Sequence, residues 1–214
     1  MPVEETSLRI KPQQKRAVEK VDRILKATAL LLERSGVEDL NILAIAREAD
    51  LPPATIYHYF ENRTAIFMAL AERTMHEVDM AFAAALLAAG ASEPDWLLLL
   101  RQLYEAYKAA PGYRHVLPLL RYSAGLREIV SVSNRRSVEF LMAALQHIPL
   151  PAARLQRIAL MIAEAVQCFL DLALCASDDA EAEAYVSEML VIVGAIAEHY
   201  QTLPGVPLAR SVLR

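Results

Sequence analysis

Asn41-Ile42-Leu43-Ala44-Ile45-Ala46-Arg47-Glu48-Ala49-Asp50-Leu51-Pro52-Pro53-Ala54-Thr55-Ile56-Tyr57-His58-Tyr59-Phe60 has the layout of a helix-turn-helix. Two helices crossing at a steep angle need a small residue where they meet, and Ala46 supplies it. Ile45, Ala49, Leu51, Ile56 and Tyr59 or Phe60 are the apolar anchors. Asn41 is placed to cap the first helix, and Pro53 suits the first turn of the second. Between them the chain must reverse over three residues, which requires a positive φ at Asp50. Glycine reaches that conformation most easily, and aspartate tolerates it better than most residues. Tyr59 and Phe60 read as core rather than surface.

Working outward, helical spacing of apolar residues recurs almost everywhere, glycine is scarce at six residues, and strand-type alternation is absent. The fold class is therefore all-α, with about nine helices. A first helix is expected from about Lys15 to Arg34, with Val21, Ile24, Leu25, Thr28, Leu31 and Leu32 on one stripe and Ser35-Gly36 as its stop. A long helix is expected after the cap Asn62, carrying Ile66, Phe67, Leu70, Thr74, Val78 and Phe82 as far as Gly90. Ser92-Glu93-Pro94-Asp95 predicts another start, with Ser92 as the cap, ahead of Trp96, Leu100, Leu103, Tyr104 and Tyr107 on a shared face. Pro111-Gly112 breaks the chain. Helices over about 113–122, 126–147, 152–176 and 179–203 complete the pattern, with Ser177-Asp178 linking the last two.

The bulk properties exclude several classes. Hydrophobic residues make up 55% of the 214, yet the densest apolar run, Leu155 to Ala176, is interrupted by Arg157, Glu164, Gln167 and Asp171, so no membrane span fits. Met1 to Ser7 is acidic and polar, unlike a secretory signal, and a cytoplasmic location is expected. Cys168 and Cys175 lie about 10 Å apart along one helix, too far for a disulfide, and read as small core residues. The net charge of −4 is unusual for a nucleic-acid binder. Its distribution is not: between Arg9 and Arg34 eight Lys or Arg face three acids, a local net of +5.

The run Ile45-Ala46-Arg47-Glu48-Ala49, followed by Thr55-Ile56-Tyr57-His58-Tyr59-Phe60 and then Asn62-Arg63 and Ile66, resembles the TetR family of bacterial transcriptional regulators over about Lys15 to Leu70. The chain departs from the family pattern at three positions: Asp50 stands where glycine is usual, Pro52 where a capping Ser or Thr is usual, and Asn41 where Thr is frequent. The resemblance implies a three-helix DNA-binding domain at 12–61, an effector-binding and dimerisation domain at 62–203, and a loosely ordered tail at 204–214. Its implied partner is double-stranded operator DNA, with the second helix of the motif in the major groove. Pro53, Ala54 and Thr55 would lie at base edges, where Thr55 and the Ala54 methyl suit a thymine methyl or a base acceptor. Tyr57, His58 and Arg63 are placed by analogy at phosphates, as is Asn41 or its neighbouring amides, and the basic segment Lys11 to Lys26, including Lys15, would approach the backbone.

Downstream, the resemblance implies a homodimer and a small-molecule effector of apolar or aromatic character. Two broadly apolar helices suit a four-helix interface between subunits, with Leu155, Ile162, Phe169, Tyr185, Met189, Ile192, Ile196 and Tyr200 as its candidates. Aromatic and isolated polar residues suited to a ligand cavity are Trp96, Tyr104, Tyr107, Tyr113, His115, Arg121, Tyr122, Phe140 and Phe169, with Met142 beside them. An enzyme is not expected. The histidines are scattered, there is no Gly-rich phosphate loop, and Ser123 lacks a nucleophile's context; Glu72 and His76, one helical turn apart, are weak evidence for a metal. No cofactor or metal is called for. A helical protein of this fold acting chiefly through protein partners, as activator or adaptor, is the remaining alternative to a repressor.

Overall fold

In the computed structural model of the chain, Leu8 and residues 15–89, 95–120, 123–144 and 150–201 are described. These residues form nine helices and no strand: α1 (Lys15–Ser35), α2 (Ile42–Glu48), α3 (Pro53–Tyr59), α4 (Arg63–Ala89), α5 (Trp96–Ala109), α6 (Tyr113–Leu120), α7 (Ala124–Ala144), α8 (Ala152–Leu174) and α9 (Asp179–Gln201). The expected tail, 204–214, lies outside the described residues.

Side chains close most helix starts. Asn62 Oδ1 accepts the Ala65 amide at 3.0 Å and opens α4. α5 opens later than expected, with Asp95 as its cap: its Oδ1 accepts the Leu98 amide at 2.9 Å. The expected cap Ser92 lies outside the described residues. Ser123 caps α7, its Oγ accepting from Leu126 at 3.1 Å, so that helix begins two residues before the expected Leu126. At α9 the Asp178 carboxylate accepts from Glu181, while the Glu181 carboxylate reaches back to the Ser177 amide at 2.8 Å. Gly36 ends α1 with a φ of 69°.

The chain divides into two compact units, residues 1–76 with 107–129 and residues 77–106 with 130–214. In the first, α1 packs on α2 and α6, and α2 on α3. Ile24, Leu32, Leu40, Ile45, Ile56, Phe60 and Ile66 form its fully buried centre, each aliphatic side chain contributing about 1.5–3 kcal/mol relative to exposure. Gly112, at φ +76°, allows a tight crossing: a Cβ there would stand 2.9 Å from the Ala29 Cα. Its amide donates to Glu33 Oε1 at 2.9 Å.

In the second unit α8 packs along α9. Leu155, Ile158, Val166 and Leu170 are buried, as are Val186, Met189 and Val193, and Arg101 pairs with Glu183. Cys168 is exposed and Cys175 half-buried at the end of α8, which corrects the expectation that both are core residues. α8 is apolar on most sides, so spacing alone did not show which side faces outward.

Candidate nucleic-acid interface

The interface begins at the α2–α3 turn. Asn41 Oδ1 accepts the Ala44 amide at 2.9 Å, as expected of the cap, a bond worth about 1 kcal/mol. α2 ends in a Schellman closure: the Asp50 amide donates to the Arg47 carbonyl at 3.1 Å and the Leu51 amide to the Ala46 carbonyl at 2.9 Å. Asp50 takes the left-handed conformation at φ 49°, the one non-glycine residue with positive φ among those described. Sequence reasoning missed what holds it. Arg23 of α1 points its guanidinium at the turn, with Nη2 2.5 Å from the Ala49 carbonyl, 2.7 Å from the Asp50 carbonyl and 3.1 Å from Asp50 Oδ2.

Across the turn, α3 divides into two sides. Ile56 and Tyr59 are buried, and Phe60 behind them is fully enclosed. Pro53, Ala54, Tyr57 and His58 are exposed and Thr55 is half-buried. These positions recur at helical spacing, so one side anchors the helix and the other is presented. Tyr57 is 50% exposed. The His58 ring meets the Tyr59 ring edge-on at 4.9 Å. Pro52 precedes α3 without a capping side chain.

Arg63 opens α4 on an exposed position. Its Nη1 donates to the Leu40 carbonyl at 2.7 Å and its guanidinium lies over the Phe67 ring at 5.6 Å, which ties the α1–α2 loop to α4. Within the basic segment, Lys26 pairs with Asp22 at 2.8 Å and Arg34 with Glu48 at 3.3 Å. Lys15, Arg16 and Lys20 are exposed along α1; Lys11 lies outside the described residues.

The residues expected for a ligand cavity fall in both units. Tyr107, Tyr113 and His115 belong to the first unit, where the Tyr107 and Tyr113 rings stack at 5.3 Å and His115 Nε2 stands 3.7 Å from Glu33 Oε1. Trp96, Tyr104, Phe140 and Phe169 belong to the second. Arg121 and Tyr122 lie outside the described residues. The second unit holds a buried polar cluster that the sequence reading did not single out. Asp79 of α4 accepts from the Ser133 hydroxyl at 2.8 Å and stands 3.5 Å from Arg136 Nη1. Burial pushes the Asp79 carboxyl above its ordinary value, outweighing the downward pull of Ser133 and Arg136. Asp79 follows the stripe residue Val78, and a lone acid beside an apolar stripe was the available signal.

Of the interface candidates, Leu155 and Met189 are buried within their own unit. Ile192 is exposed, and Ile162, Phe169, Tyr185 and Ile196 are half-buried. The side chain of Tyr200 lies outside what is described. Ile162, Phe169 and Ile196 line an apolar groove of about 450 Å³ between α8 and α9, flanked by Met161 at 70% exposure, with Val191 further along α9 at 66%.

A capped helix, a left-handed turn and a short helix with one side presented define a helix-turn-helix protein. Residues 24–70 match the model of a family described as bacterial regulatory proteins, tetR family. This segment is similar to the DNA-binding part of that family of transcriptional regulators. Over most of its length the chain shares the fold of solved regulators of this family. A TetR-family transcriptional regulator from Streptomyces coelicolor is 25% identical, with 83% of this chain and 99% of that one covered at a TM-score of 0.58. A TetR-family regulator from Pectobacterium atrosepticum shares the fold at 15% identity, 92% and 99% coverage and a TM-score of 0.66. RolR in complex with resorcinol does so at 19% identity, 91% and 99% coverage and a TM-score of 0.60. No curated protein matches the chain by sequence. Among the described residues, no helix is long and apolar enough to cross a membrane.

Proposed function

We propose that the protein is a homodimeric repressor that holds a palindromic operator through two copies of α3 and is released from it by a small-molecule effector. The observation that carries this reading is the division of α3: Ile56 and Tyr59 fasten it to the core, while Pro53, Ala54, Tyr57 and His58 stand clear on one side. Two such helices must reach successive major grooves, about 34 Å apart along the duplex. Ala54 and Thr55 read base edges, and Tyr57 and His58 hold phosphates. Lys15, with its exposed neighbours Arg16 and Lys20, supplies the sequence-independent attraction, while Asn41 and Arg63 bring the loop before α2 and the start of α4 to the backbone.

The groove and exposed apolar side chains of α8 and α9 support pairing of two subunits through these helices. For the effector, the second unit offers aromatic residues, Trp96, Tyr104, Phe140 and Phe169, and the buried Asp79–Ser133–Arg136 cluster. The shared fold of a resorcinol-bound regulator supports a guest of small aromatic size. An effector acts by favouring a dimer whose two α3 helices have the wrong separation.

A mobility-shift titration with DNA from upstream of the protein's own gene, run across a range of salt, tests this reading. Retardation that weakens steeply with salt is expected. No salt-sensitive retardation would transfer the function to protein partners.

A further inference from the structure

We propose that Arg23 is the positioning residue of α3: it holds the Asp50 turn closed from α1 and does not contact DNA phosphate. The proposal rests on the DNA-binding reading above. Glycine suits a left-handed helix end because it has no Cβ, and this chain has aspartate there, at φ 49°. The three acceptors of Arg23 bracket that strained residue: the carbonyl before it, its own carbonyl and its own carboxylate. One guanidinium thus fixes the peptides on both sides of the turn. A salt bridge this exposed is weak by itself, with Asp50 98% and Arg23 46% open to solvent. The two carbonyl bonds therefore carry the restraint.

A second feature makes the restraint matter. α3 begins at Pro53, three residues after Asp50, and its N-cap Pro52 has no capping side chain. The usual device for fixing the direction of entry is missing, so the direction of α3 is inherited from the turn. Arg23 also falls within the basic run that electrostatics alone would assign to the DNA backbone. Its geometry directs it to the turn instead, and Lys26 and Arg34 of the same run pair with Asp22 and Glu48.

The test uses the full chain and its variants R23A, R23K, D50G and R23A/D50G. The probe is a labelled duplex that the unaltered chain selects from random-sequence DNA, titrated at several salt concentrations. R23A should bind about tenfold more weakly, R23K should fall between, and neither should change the salt slope, since no phosphate contact is lost. R23A/D50G should bind within about threefold of D50G, because glycine needs no clamp. In thermal unfolding of the same proteins, R23A should lower the midpoint by about 4 °C or more, and by less than half as much in the D50G background. A salt slope reduced by about one phosphate, with no rescue by D50G, would make Arg23 a DNA contact and overturn the proposal. Additive effects of the two substitutions in unfolding would overturn it as well. Should R23A not fold, R23K in both backgrounds gives the same comparison. Should the unaltered chain select no duplex, the DNA-binding reading falls and the coupling in unfolding alone decides the clamp.

Discussion

α3 and the α8–α9 pair both leave side chains in water, but of opposite kinds. On α3 the exposed positions are Pro53, Ala54, Tyr57 and His58, small or polar-tipped groups over a buried base of Ile56 and Tyr59. On α8 and α9 they include Leu160, Met161, Val191 and Ile192, purely apolar groups beside an apolar groove. The first surface can exchange water for hydrogen bonds with a polar polymer. The second has nothing to offer except removal from water, and a second copy of the same face is the partner proposed for it. Exposure by itself therefore says little, and the chemistry of the exposed atoms tells which partner a face suits.

The largest effect expected from breaking this contrast is at the base of α3. Phe60→Ala removes a fully buried ring and should lower unfolding free energy by about 3–5 kcal/mol, measured by denaturant titration; a loss below about 1 kcal/mol would mean the ring is not part of the core. Next comes the apolar face. Met161→Glu should weaken dimerisation by about 2 kcal/mol or more in analytical ultracentrifugation while leaving the unfolding of each subunit nearly unchanged. An unaltered dimer would place the subunit contact elsewhere.

On the presented side of α3, Tyr57→Phe should weaken operator binding by about 1 kcal/mol without relaxing sequence preference, as loss of one phosphate hydrogen bond would. Thr55→Ala should instead change the preferred base, and the two outcomes together separate backbone holding from base reading.

The smallest effect concerns Asp79. Its carboxyl titrates above the ordinary value of 3.8 because it is buried, so the folded state holds its proton more tightly than the unfolded state does. The charged form therefore costs stability at neutral pH, and that cost disappears as pH falls through the raised value towards 3.8. Asp79→Asn should gain stability relative to the unaltered chain at pH 7, and the gain should shrink on acidification. A gain that grows on acidification would reverse the assignment.

The motif was legible because its determinants are local. The Asn41 cap, Ala46 at the crossing and the positive φ of Asp50 each follow from one residue and its neighbours along the chain. The Arg23 clamp was not legible, since it joins positions 26 and 27 residues apart and its arginine sat in a run whose charge suggested another use. Likewise, the burial of Leu155 and Met189 was not legible, because the apolar surface of α8 and α9 is wider than one core-facing stripe and periodicity alone does not single out the buried part. The cap at Asp95 was misplaced for a related reason, since serine and aspartate are both residue types that cap well and four residues of chain offer one of each.

The most direct test of the account is selection of duplexes from random-sequence DNA by the full-length chain, followed by sizing of the complex. The expected result is an inverted repeat whose half-sites lie about one helical turn, or a whole number of turns, apart, occupied by an even number of chains. Enrichment of a single asymmetric site held by one chain, or no enrichment at all, would contradict it.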